Sequence, residues 1–210
     1  MAISTYSELQ TAVQNWLDNT NTLPAARVQE FIALAEADFN RRIRCRENLA
    51  STTGTTVTGT PTLALPTRFG GVQSLAMAES GYYAPLALMD EAAALEAYYA
   101  YGNGAPRAFV VEASTIRLYP TPDGEYAYSL KYWERVAALS DSATTNWLLT
   151  AHPDVYLFGS LVHAEGFNVD DGRLLVWKTQ YEMALQQVAE QSIADGMTGR
   201  TFMYVQGGTP

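Results

Sequence analysis

The sequence predicts an α+β protein: a bundle of helices interrupted by a mostly antiparallel β-rich part and followed by an extended tail. Three observations carry this. Apolar residues recur at helical spacing in the first fifty residues and again between about 137 and 195. Between those stretches the chain turns rich in Thr, Gly and alternating apolar residues, with turn signals at short intervals. The last fifteen residues fit neither pattern. The expected division is therefore 1–50, first half of the bundle; 51–136, β-rich insertion with one short helix; 137–195, second half; 196–210, tail.

The first helix opens on a capping box, Thr5 and Glu8, in which each residue answers a free backbone N–H of the first turn. Tyr6, Leu9, Val13 and Trp16 with Leu17 form its apolar stripe. A polar break, Asp18-Asn19-Thr20-Asn21-Thr22, separates it from a second helix that Pro24 suits as a start. Val28, Phe31, Ala35, Phe39 and Ile43 share one face of that helix. Arg41, Arg42, Arg44 and Arg46 crowd its end, where cations complement the negative end of the dipole.

From Ser51 the texture is that of strands. Pairs near 72–79 and 82–88 turn at Ser80-Gly81, and further strands span 108–112, 115–119 and 126–133. The turn Pro120-Thr121-Pro122-Asp123-Gly124 separates the last two. Asp90 is placed to cap a short helix reaching to about Tyr101. Helix returns after about Ala137. Pro153 fixes φ at a helix start and Asp154 places an anion in its first turn. That helix carries Val155, Leu157, Leu161 and Ala164, with Gly159 and Ser160 small enough for another helix to approach. Asp170 is the expected cap of a closing helix bearing Leu174, Trp177, Tyr181, Leu185 and Val188, to about Ala194. No repeat of fixed period is present.

Composition limits the chemistry. At 210 residues, 48% hydrophobic and 17% charged, the chain can bury a real core. No run of eighteen apolar residues suggests a membrane span, and the N-terminus lacks the pattern of a signal peptide, so synthesis and retention in a cytoplasm until assembly is expected. One cysteine, Cys45, allows no intrachain disulfide and no thiolate cluster; flanked by Arg44 and Arg46, it reads as a free thiol at a helix end. His152 and His163 have no third ligand at metal-binding spacing. Ser160 and His163 share a helix, but Phe158-Gly159-Ser160-Leu161 is not a strand-to-helix nucleophile elbow. Gly102-x-Gly104 lacks the third glycine of a phosphate loop. Glu36 and Asp38 stand about 200° apart around a helix and do not converge. No cofactor, metal or catalytic residue is assigned.

Partners are easier to read than chemistry. A net charge of −9 suits no tight grip on a polyanion, though it tolerates one passing nearby. Of the thirteen basic residues only Lys131 and Lys178 are lysines; the rest are arginines, whose forks suit carboxylates across a protein interface. Arg41, Arg42, Arg44 and Arg46, without interleaved aromatics, fit an inter-subunit patch better than a nucleic-acid site. In the tail, Arg200, Phe202, Met203, Tyr204 and Val205 form an unusually apolar terminus, suited either to a partner's sheet edge or groove or to folding back on its own domain.

The ordered series of motifs resembles the head-to-tail adaptor (connector, or tail accessory) proteins of tailed bacteriophages, the short-tailed type in particular. Its strongest segment is Thr145-Asn146-Trp147-Leu148-Leu149, then Pro153-Asp154-Val155-Tyr156-Leu157-Phe158-Gly159-Ser160-Leu161, with Ala164 after it. Phe158 stands where that family often has Tyr. Leu65-Pro66-Thr67-Arg68-Phe69, Gly104-x-Pro106, Ile116-x-Leu118-x-Pro120, Tyr132-Trp133 and Trp177-x-x-x-Tyr181 follow in the family's order. On this resemblance Asn146, Trp147, Leu148, Pro153, Asp154, Tyr156 and Gly159 are structural motif residues. The resemblance implies a non-enzymatic virion protein of the neck. It would form a homo-oligomeric ring of twelve copies beneath the portal, with the tail gripping the portal protein, the opposite face receiving a downstream tail or nozzle protein, and double-stranded DNA passing through without specific binding. Alternative readings are another neck or tail-completion ring protein, or a phage cell-wall hydrolase.

Overall fold

A computed structural model describes residues 3–17, 25–79, 81–98, 100–165 and 173–197. In chain order the elements are α1 (Tyr6–Trp16), α2 (Ala25–Arg42), β1 (Leu49–Thr55), β2 (Thr62–Ala64), β3 (Phe69–Glu79), β4 (Tyr82–Pro85), β5 (Ala87–Leu88), α3 (Glu91–Tyr98), β6 (Ala108–Val111), β7 (Thr115–Tyr119), β8 (Ala127–Glu134), α4 (Trp147–Ala151), α5 (Pro153–Glu165) and α6 (Leu174–Met197). This is the α+β mixture that the two periodicities predict. Two compact units result, one from the described residues up to Glu47 and from Ala138 on, the other from Asn48–Ala137.

In the helical unit, α1 begins as expected: Thr5 accepts from the Glu8 N–H while the Glu8 carboxylate accepts from the Thr5 N–H. Tyr6, Leu9, Ala12 and Val13 are buried, with Leu17 just after the helix. Trp16 departs from the expected stripe. It is 47% exposed and meets Phe158 edge-on at 5.8 Å. The reason is rotational: Leu17, not Trp16, completes the buried face four residues after Val13.

Helix α5 forms the centre, packing against α1, α2, α4 and α6. Val155, Tyr156, Leu161 and Ser160 are fully enclosed, and Leu157 and Ala164 nearly so. Gly159 is the close point of the bundle. A Cβ built there would lie 3.0 Å from the Tyr181 ring of α6 and 3.2 Å from Ala35 of α2. Tyr181, Trp177, Ala184, Leu185 and Val188 form the buried side of α6, while Leu174, on the same side but at the first residue of the helix, is 40% exposed. The helix runs on to Met197, three residues past the expected end. Asp170, the expected cap, and Arg200, Phe202, Met203, Tyr204 and Val205 of the tail lie outside the described residues.

The β unit holds two four-stranded sheets, ordered β1-β8-β3-β4 and β2-β7-β6-β5. All pairings are antiparallel except β5 with β6. Alternation supplies one shared core: Leu75 and Met77 of β3 and Leu130 and Tyr132 of β8 from the first sheet, Leu63, Phe109, Ile116 and Leu118 from the second. The Leu65–Phe69 segment makes the turn into β3, with Arg68 in the left-handed region at φ 62°. Arg68 pairs with Glu134 at 2.9 Å, and its carbonyl accepts from Arg135 at 2.8 Å, contacts that hold a non-glycine residue in that conformation. Asp90 caps α3 by accepting the Ala93 N–H at 2.9 Å, and α3 ends at Tyr98 rather than Tyr101.

Candidate functional site

Two groups of polar side chains stand out in the helical unit, one enclosed and one at the surface. The enclosed group is built by the motif between Asn146 and Gly159. Asn146 has extended backbone and caps α4, its Oδ1 accepting the Leu149 N–H at 2.9 Å. That helix is only five residues long, too short for a period to announce it. The Asn146 amide donates to the Tyr156 hydroxyl at 2.6 Å, and that hydroxyl donates to Glu36 Oε1 at 3.1 Å. The same carboxylate oxygen accepts the Leu139 N–H at 2.8 Å. Phe39 meets the Tyr156 ring edge-on at 5.0 Å. One chain of hydrogen bonds thus joins α2, the connection before α4, the α4 cap and α5.

Burial governs the electrostatics of this group. Desolvation pushes the Glu36 carboxyl above its usual value, partly opposed by the Leu139 N–H and the Tyr156 hydroxyl. Desolvation, reinforced by the Glu36 charge, also holds the Tyr156 phenol well above the ordinary range. The group is a tie between elements, with the Leu139 N–H and the Tyr156 hydroxyl both meeting Glu36 Oε1.

The remaining motif residues surround that tie. Leu148 and Leu149 are fully buried. Trp147 begins α4 and meets His152 edge-on at 6.5 Å. Pro153 is the first residue of α5 and Asp154 sits in its first turn.

The surface group lies where α2 ends against α6. Asp38 accepts from the Tyr181 hydroxyl at 2.9 Å and from Arg41 and Arg42 at 3.4 Å. Burial alone would raise Asp38, but Tyr181 and the two guanidinium groups outweigh it and lower it. Arg42 closes a two-pronged contact with Glu182 of α6 and lies 5.7 Å above the Tyr181 ring. Arg41 and Arg46 are mostly exposed, with Arg46 3.5 Å from Glu47. Arg44 is exposed and makes no ion pair among the described residues. Between them opens a cleft of about 350 Å³ lined by Arg42–Cys45 and by Glu182, Leu185, Gln186 and Val188. Cys45, in no disulfide and just past the end of α2 as expected, is buried and lines this cleft.

Arg42 is thus committed across α2 and α6, while Arg41 and Arg46 pair with near neighbours in sequence and stay largely exposed. Sequence reading missed Glu36, Tyr181 and Glu182 as polar partners. For Glu36 the signal was present: it follows Ile32 by four residues and precedes Phe39 by three, a core position of α2 filled by a carboxylate. His163 lies on α5, where desolvation lowers its pKa. No group of three or more metal-ligating side chains occurs among the described residues, and no described helix is long and apolar enough to cross a membrane.

Against known proteins, a family model described as SU10 adaptor protein matches residues 4–202. No curated protein matches the chain.

Proposed function

The chain belongs to the SU10 adaptor protein family, and from that premise we propose that it is a structural head-to-tail adaptor of a bacteriophage particle. Copies assemble as a ring beneath the portal, the ring joins the capsid vertex to the next tail component, and DNA passes through its centre. The observation that carries this reading is the family match along 199 residues, which takes in both the Asn146–Gly159 motif and the β unit. No catalytic role is assigned to any residue.

Roles within the ring follow from the surfaces. We assign Arg41, Arg44 and Arg46 to contacts with a neighbouring copy, because exposed guanidinium groups beside an apolar-floored cleft suit a carboxylate-bearing partner. Arg42 supports that patch from within, by holding α2 to α6 through Glu182. Arg200, Phe202, Met203, Tyr204 and Val205 are assigned to the portal protein. A closed ring needs two unlike complementary faces on every copy, which accounts for an arginine-rich one.

Purified chain mixed with portal rings tests this directly. Electron micrographs and native mass spectra are expected to show portal-dependent rings with twelve copies. Truncation after Met197 is expected to leave the thermal midpoint unchanged and to abolish attachment. A chain that ignores the portal, or a truncated chain that still binds it, overturns the corresponding assignment.

A further inference from the structure

The cleft between the end of α2 and α6 has an apolar lining and a charged rim. Leu185, Val188 and Ala189 of α6 line it with Ile43 and Cys45, and Arg42 pairs with Glu182 at its edge. Leu185 also starts a row. Ala189, Ile193 and Met197 follow it at intervals of four, each step turning only about 40° around the helix. Exposure rises along the row, from a buried Leu185 to an Ile193 that is 59% exposed. The row leads from the cleft to the last residue of α6, where residues 198–210 begin. Phe202, Met203, Tyr204 and Val205 stand five to eight residues past that point. Extended chain covers about 3.3 Å per residue, so Phe202 reaches about 17 Å from the helix end. Back along the axis, Ala189 is about 12 Å and Leu185 about 18 Å from Met197. Gly199 stands where the chain must reverse, and accepts backbone angles closed to other residues. The segment is therefore long enough to lie along the row with its aromatic side chains in the cleft.

We propose that in the free chain residues 202–205 fold back along Ile193 and Ala189 and fill this cleft. The inference rests on the portal reading of the tail and adds its control: the segment is withheld until a portal ring takes it. The same docking covers the cleft beside Arg41, Arg44 and Arg46, so copies meet there only after the portal has drawn the tail away. A link of four residues, 198–201, holds segment and cleft together at an effective concentration on the order of mM. A contact with a dissociation constant in that range is then about half occupied, whereas a second copy at micromolar concentration leaves it empty. That difference selects the chain's own segment as the occupant. The contact also stays weak enough for a portal site to displace it.

A photo-crosslinking residue in place of Phe202 tests the occupant in the full chain without portal. At about 1 μM protein, crosslinks are expected within one chain, to residues 42–45 or 182–189. Crosslinks elsewhere, crosslinks between copies, or none overturn the inference. Ile193 is exposed, so Ile193→Glu should keep the wild-type thermal midpoint. It is expected to cut the yield of cleft crosslinks about tenfold, the order that losing one buried aliphatic side chain gives. An unchanged yield overturns the path along the row. Portal rings added to the crosslinkable chain are expected to replace cleft crosslinks by crosslinks to the portal. Cleft crosslinks that persist on portal-bound copies overturn the control. A chain that shows cleft crosslinks, yet still attaches to the portal when truncated after Met197, overturns the portal reading and the control with it, while the fold-back stands. Absent cleft crosslinks with attachment lost on truncation overturn the fold-back alone.

Discussion

At the scale of single residues, the informative group is Glu36, Tyr156 and Asn146, because one chain of hydrogen bonds links a buried carboxylate and a buried phenol to a helix cap. Tyr156→Phe keeps the ring against Phe39 but removes the hydroxyl, leaving Glu36 with the Leu139 N–H and costing Asn146 its contact. A stability loss of about 1 to 3 kcal/mol is expected, seen as a fall of several degrees in Tm for a chain of this length. An unchanged melting curve would sink the tie. Glu36 also makes a signed pH prediction. Its folded carboxyl is raised by desolvation, so between the ordinary and the raised value the folded chain holds a proton that the unfolded chain has released. Its contribution is full below the ordinary value and is lost as pH rises through the raised one. Glu36→Gln cannot ionise. The stability of wild type relative to this variant is therefore expected to decline as pH rises above the ordinary carboxyl value, measured by urea unfolding. A constant or rising difference contradicts it. The carboxylate's core position was legible from its spacing, but its partners, 103 and 120 residues away, were not.

At the scale of elements, sequence patterns succeeded where the physical signal is local. The capping box of α1, the Asp90 cap of α3, the Pro153 start of α5 and strands β3, β6, β7 and β8 rest on a few neighbouring residues, whereas the expected strand at 82–88 is split into β4 and β5 of different sheets. Failures occurred where neighbours do not decide. Trp16 has the apolar type of a stripe residue but the wrong rotation. Helix α4 is shorter than two periods, so Asn146 read as part of a motif without reading as a cap. Sheet order was illegible as well, since β1 pairs with β8 and β2 with β7 across long stretches of chain. Gly159 lies between these cases. Its small size announced a close approach, while the partners, Tyr181 and Ala35, come from opposite ends of the sequence. Gly159→Leu is expected to force α5 away from both and to cost about 1 to 3 kcal/mol. Gly159→Ala is expected to be nearly neutral, because the gain in helix propensity of about 1 kcal/mol offsets a contact only a few tenths of an ångström too close. Thermal melts of the two variants separate the effects. A leucine variant as stable as wild type would mean the crossing is looser than its distances indicate.

At the scale of the whole molecule, charge decides how the chain treats DNA. A protein that must let a duplex slide past has to avoid the counterion release that makes clustered Lys and Arg adhesive. Two features of this chain suit that proposed role. Its net charge is −9, which opposes approach of a polyanion from any side. Six of its thirteen cations, Arg27, Arg41, Arg42, Arg46, Arg68 and Arg117, also each face a carboxylate of the same chain within 3.5 Å. Arg44, Lys131, Arg135 and Lys178 are exposed and make no ion pair among the described residues, a number below the 6 to 10 or so phosphate contacts of proteins that hold DNA. The expected result is no retardation of a short duplex by the purified chain, at protein concentrations up to about 10 μM and at physiological salt. Lowering the salt strengthens every electrostatic contact and is the demanding condition. Retardation that appears only at very low salt and vanishes by about 0.1 M would fit these few cations. Binding that survives physiological salt, with a steep dependence on it, would require a basic surface on the assembled ring that this distribution of charge does not contain.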